Sequence, residues 1–104
     1  MRVTIQQSDG KGVTIKIEGK LAGPNVSALD QAWRELEPSL GRRRLLVDLR
    51  GVMYVDGAGR NLLAEISGAT GAEFVGDTPL TNYFAEEAQK AFERDLNTEL
   101  GRQS

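Results

Sequence analysis

The chain has 104 residues, 39% hydrophobic and 27% charged, with a formal net charge of −2. This is the make-up of one globular domain that buries on the order of 65% of its unfolded surface, and it gives no broad electrostatic case for nucleic acid or an anionic membrane. Cysteine and histidine are both missing, which removes disulfides, thiolate nucleophiles, zinc–sulfur sites and the commonest general base near neutral pH. No cofactor or metal is therefore expected. The opening MRVTIQQSDG has no apolar signal-like core, and no run nears the ~18 apolar residues of a membrane span. The expectation is a cytoplasmic protein with no membrane insertion.

Val3 and Ile5 alternate with Arg2, Thr4 and Gln6, and Val13, Ile15 and Ile17 alternate with Thr14, Lys16 and Glu18. Both runs have the period of a half-buried strand. The turn-forming cluster Ser8-Asp9-Gly10-Lys11-Gly12 between them predicts an antiparallel hairpin. A loop is expected over 19–24, with Pro24 in the first turn of a helix. Val26, Leu29, Trp33, Leu36 and Leu40 share one face of that helix, opposite Asp30, Gln31, Arg34, Glu35 and Glu37. Pro38 predicts its end at or just before Glu37. Trp33 reads as a packing residue rather than an exposed anchor. Arg42-Arg43-Arg44 reads as a solvated loop, since the basic residues are not spread over a face with aromatics between them. An acidic partner surface there stays open.

The stretch LLVDLRGVMYVDGAG, 45–59, organises the chain. The apolar run Leu45-Leu46-Val47, carried on by Asp48 and Leu49, predicts a buried central strand over 45–48, followed by a short linker containing Gly51 and a second apolar patch at 52–55. Asp56 then stands where an N-cap would stand for a helix over about 58–67, with Leu62, Leu63 and Ile66 inward and Arg60, Asn61 and Glu65 outward. Gly68, Thr70 and Gly71 mark its end. Glu73-Phe74-Val75 predicts a short strand parallel to the central one, because a helix separates them. Thr78-Pro79 starts a long last helix over about 79–100, with Leu80, Tyr83, Phe84, Ala88, Phe92 and Leu96 as its apolar stripe. The tail over 101–104 is expected to fray.

Leu46-Val47-Asp48-Leu49-Arg50-Gly51-Val52, followed by Tyr54-Val55-Asp56-Gly57-Ala58-Gly59, resembles the signature of STAS domains, the family of bacterial anti-sigma-factor antagonists. The resemblance extends more weakly over about residues 1–76, through IEGKL at 17–21 and GAEFVG at 71–76. It implies a single STAS-like α/β domain over 1–104: a small mixed sheet with an N-terminal hairpin and helices packed mainly on one face. The long C-terminal helix is a variant, since family members usually add a strand before the last helix and none reads after Val75. In the family, a serine just after the second aspartate is phosphorylated by a partner kinase, which switches binding off. Here those positions are Gly57 and Ala58, and neither carries a hydroxyl.

The resemblance implies a non-catalytic interaction module for a protein partner, such as a serine-kinase-type anti-sigma factor, acting in bacterial transcription regulation. Asp56 would fix the helix start, Gly57, Ala58 and Gly59 would present a smooth surface, and Arg60 and Asn61 would supply polar contacts. The plainer alternative is that Gly57 and Gly59 only permit a tight turn. A second reading is a sensor in which the helix N-terminus takes an anion such as a nucleotide or lipid head group, helped by Arg50 and Arg60 on either side. Catalysis would have to rest on Asp48 and Asp56 as a carboxylate pair, and position 62 is Leu where a dinucleotide fingerprint needs its third glycine. A homodimer is left open.

Overall fold

The computed structural model describes the backbone of residues 1–8 and 12–102, and the side chains of 1–7 and 12–93. The elements run β1 (Arg2–Ser8), β2 (Gly12–Leu21), α1 (Pro24–Leu40), β3 (Leu45–Val55), α2 (Gly57–Thr70), β4 (Glu73–Val75) and α3 (Pro79–Arg102). The sheet order is β1-β2-β3-β4. β1 and β2 form the expected antiparallel hairpin, with Val3 opposite Ile17 and Ile5 opposite Ile15. β2 and β3 are parallel, as are β3 and β4, which is what helical crossovers impose. Of the expected hairpin turn, residues 9–11 lie outside the described residues.

Alternation shows which face is covered. Val13, Ile15 and Ile17 of β2 and Leu45, Val47 and Leu49 of β3 are buried, while Thr14, Lys16 and Leu46 between them keep solvent contact. The helices close that one face: Leu29, Trp33, Leu36 and Leu40 of α1, Leu62, Leu63 and Ile66 of α2, and Phe84, Ala85 and Ala88 of α3 join the strands in a single core. This is a small α/β protein with a mixed sheet and an N-terminal hairpin. Trp33, 3% exposed, is a core residue.

Several expectations are corrected. Gly51 is no linker: β3 runs unbroken to Val55. It does so with two irregularities, carrying an extra residue opposite Lys16–Glu18 and another opposite Gly19–Lys20. Gly51 belongs there because a Cβ on it would come within 2.8 Å of the Glu18 Cγ. The 19–24 loop shrinks to Ala22 and Gly23, since β2 reaches Leu21.

α1 does not stop before Pro38 but continues to Leu40. The last turn stays helical because Leu36 and Leu40, one turn apart, are both buried. Its carbonyls also find partners: the Arg43 guanidinium donates to the Ser39 and Leu40 oxygens at 2.7 and 3.3 Å. Arg43 thereby becomes a helix terminator rather than a solvated charge, a favourable place for a cation. It also donates to Gln7 Oε1 of β1 at 3.2 Å.

The inward stripe of α3 is rotated from the expected one. Leu80 and Tyr83 are 45% and 52% exposed, and Thr81, Phe84, Ala85, Ala88 and Ala91 face the core. The start of the helix sets this phase. Thr78 Oγ1 accepts from the Thr81 N–H at 3.1 Å, and Thr81 Oγ1 accepts from the Asp77 and Thr78 N–H groups at 2.9 Å each. Thr81 is thus held inside, bonded to the exposed Thr78, and a Cβ on Gly76 would lie 2.5 Å from the Thr81 backbone. α3 takes in residues 101 and 102 of the expected frayed tail. Residues 103–104 and the Leu96 side chain lie outside the described residues.

Candidate partner-binding surface

The strand-to-helix turn after β3 is built around Asp56. Its Oδ1 accepts from the Gly59 N–H at 2.8 Å, the N-cap bond of α2, and its Oδ2 accepts from the Gly23 N–H at 2.9 Å. The Asp56 N–H donates to the Leu21 oxygen at 3.1 Å. One carboxylate therefore ties the starts of α1 and α2 together at the end of β3. The Gly23 N–H, then the Gly59 N–H, holds this carboxyl below the usual carboxylate range, because both bonds favour the charged form.

The six residues singled out in the sequence separate into three kinds. Asp56 is half-buried with both oxygens committed. Gly59 is buried: a Cβ there would meet the Leu21 oxygen at 2.6 Å and Val55 Cγ1 at 2.9 Å. Gly59 is a glycine so that α2 can start against β2 and β3, and it presents no surface of its own. Gly57, Ala58, Arg60 and Asn61 are exposed, and nothing lies within 4 Å of a Cβ placed on Gly57. The tight-turn explanation thus fits Gly59 and not Gly57.

Arg60 is held from α3. Its guanidinium makes two 2.7 Å bonds to the Glu87 carboxylate, which also accepts from the Tyr83 hydroxyl at 2.9 Å. This paired carboxylate raises the Arg60 pKa, with Tyr83 and Tyr54 close enough to add to it. Beneath the ion pair, a groove of about 260 Å³ between α2 and α3 has Leu63, Ala64, Phe84 and Ala88 in its lining. A second groove of about 270 Å³, between α1 and α2, is lined by Val26, Ser27, Ala58 and Asn61 among others. The first turn of α2 is the ridge between them.

Sequence reasoning missed the apolar rim. Met53 and Tyr54, at the end of β3, are 67% and 51% exposed. The signal was available: successive strand residues point to opposite faces, so the run 52–55 could not all enter the core. On α3, Leu80 and Tyr83 are exposed as well, and Tyr83 bonds the same Glu87 that holds Arg60.

The other candidate groups are separated. Asp48 and Asp56 lie eight residues apart along one extended strand, on the order of 25 Å, and are not brought together. Asp48 is 4% exposed, and its carboxylate accepts from Arg50 Nε at 3.0 Å, Arg50 Nη2 at 2.9 Å and the Arg50 N–H at 3.0 Å. The Arg50 side chain lowers the Asp48 pKa against the opposing effect of burial. Both arginines that flank the turn are thus engaged by carboxylates. Among the described residues, no group of three or more His, Cys, Asp or Glu residues could hold a metal ion, and no helix is long and apolar enough to cross a membrane. Neither a known family model nor a curated protein matches the chain.

Proposed function

We propose that this protein is a non-catalytic interaction module of the anti-sigma-factor-antagonist kind, docking on a serine-kinase-type regulator through the first turn of α2. The observation that carries the reading is the exposed, side-chain-free position at Gly57 beside Ala58, on a turn whose conformation Asp56 fixes from both sides. A turn fixed in advance loses little freedom on binding. Tyr54 and Tyr83, both close to Arg60, supply exposed apolar area, and Tyr and Arg are among the residue types enriched at interfaces. The Asp48–Leu49 and Asp56–Gly59 resemblance supports the choice of partner class.

Gly57 and Ala58 cannot accept a phosphoryl group, so the module works without the serine switch. A phosphate there would bring a charge of about −1.5 to −2 to the ridge. Regulation then rests on abundance, on a ligand or on the partner's own state.

The test is a titration of purified kinase-type regulators by calorimetry, with ATP present and absent. Binding is expected for the wild type, and Ala58→Trp weakens it at least roughly tenfold, the factor for 1.4 kcal/mol, without moving the denaturation midpoint. Peptide mass mapping after incubation with kinase and ATP shows no phosphate over 48–70, whereas Ala58→Ser becomes a substrate. No binding by any such regulator, together with thermal stabilisation by a nucleotide or other anion, would replace this reading with the anion sensor.

A further inference from the structure

We infer that β1 is a dimerisation edge, pairing antiparallel with β1 of a second copy about a two-fold axis through Thr4. β1 is the first strand of the sheet, and among the described residues its ladder runs to β2 alone. Its seven residues pair with β2 without a register shift, so the outer edge is long and regular. Proteins keep such edges single with charges, prolines, bulges or very short strands. β1 has no proline and no bulge, and its one charge, Arg2, is at the end.

The pattern of the strand selects the register. Val3 and Ile5 lie opposite the buried Ile17 and Ile15, so they point to the helix-covered face. Ile5 is nevertheless 37% exposed at the edge. A continuous sheet with both helical layers on one side requires odd residues to meet odd residues, because a one-residue slip exchanges the faces. Centring the axis on Thr4 sets Val3 opposite Ile5 of the second copy, twice over, and covers the exposed Ile5. It places Thr4 against Thr4 and Arg2 against Gln6, so no like charges oppose. Apolar β-branched pairs and Thr–Thr pairs are the favourable cross-strand combinations. Centring on Ile5 instead would set both Val3 side chains against Gln7, which already accepts a hydrogen bond from Arg43.

The register makes the inference testable, and the chain has no cysteine to interfere. Opposed Cα atoms at the axis lie about 4.5–5.5 Å apart, within disulfide reach. Two Gln6 positions would be displaced by four residues, roughly 13 Å. Sedimentation equilibrium of the wild type is expected to give twice the 11.3 kDa of the chain. Thr4→Cys cross-links under mild oxidation, and Gln6→Cys does not. Thr4→Glu, which sets two like charges at the axis on the helix-free face, gives a monomer with an unchanged circular dichroism spectrum. A wild type that stays monomeric as concentration rises overturns the inference. So does a Thr4→Glu protein that remains dimeric, and equal cross-linking of the two cysteine variants overturns the register.

Discussion

Two glycines on either side of Ala58 in the same turn have opposite reasons to be glycine. Gly59 is a packing necessity. Any Cβ there strikes the Leu21 carbonyl and Val55, and backbone cannot move aside as the end of a flexible side chain can. Gly59→Ala is expected to cost about 1–3 kcal/mol, the range for overpacking. Gly57 has open space around it and no positive φ, so Gly57→Ala is expected to stabilise by about 0.5 kcal/mol through the unfolded state. Urea denaturation of the two variants checks the contrast. If both lose stability equally, Gly57 is structural and the free ridge disappears as a surface. A sequence shows only two glycines in such a case; what distinguishes them is the β2 end at Leu21, which comes from a different part of the chain.

At the scale of elements, what was legible followed from local pattern. The hairpin, the parallel β4 and the Asp56 cap each rest on alternation or capping chemistry within a few residues, and each is present; α2 runs through Gly68, three residues past the expected end at 67, to its left-handed cap at Gly71. What was not legible depended on distant partners. Pro38 looked like a stop because the burial of Leu40 and the reach of Arg43 back to Ser39 were out of sight. Hydrophobicity favours Leu80 and Tyr83 over Thr81 and Ala91, yet α3 turns Thr81 and Ala91 to the core. Small residues bury when helices approach closely, and the Thr78–Thr81 hydroxyl pair sets the rotation. The consequence is measurable. Phe84→Ala is expected to cost about 3 kcal/mol or more, as for other buried phenylalanines, whereas Leu80→Ala stays within about 0.5 kcal/mol. A large stability loss in Leu80→Ala would restore the original stripe.

For the whole molecule, the sheet separates two faces and two edges with different work. In the inferred dimer, antiparallel β1 strands would point the two α2 ridges to opposite ends of one sheet, so each copy would engage its own partner without a clash between them. Two carboxylates, Asp56 at the ridge and Asp48 within β3, are held ionised, and this gives the stability a definite pH dependence. The chain has no histidine, so no side chain has an ordinary pKa between the carboxylate and cysteine ranges. Asp48 is depressed by Arg50, and Asp56 by the Gly23 and Gly59 N–H groups, each below the usual 3.8. Between the depressed folded value and 3.8, the unfolded chain binds more protons than the folded one. Stability therefore rises with pH across that window. The contribution of the two groups is complete above about pH 4–5 and is lost as pH falls through their folded values. The thermal midpoint of the wild type should stay flat from about pH 5.5 to 7.5 and drop on the acid side. Asp56→Asn keeps an acceptor for the Gly59 N–H but turns an amide donor toward the Gly23 N–H, and Asp48→Asn weakens the clasp on Arg50. The double variant should start lower at neutral pH and lose less on acidification, so that the two curves converge on the acid side, below the folded values of the two groups. Parallel curves, with the same acid drop in both proteins, would mean that other carboxylates carry the acid transition and that neither clasp is electrostatic.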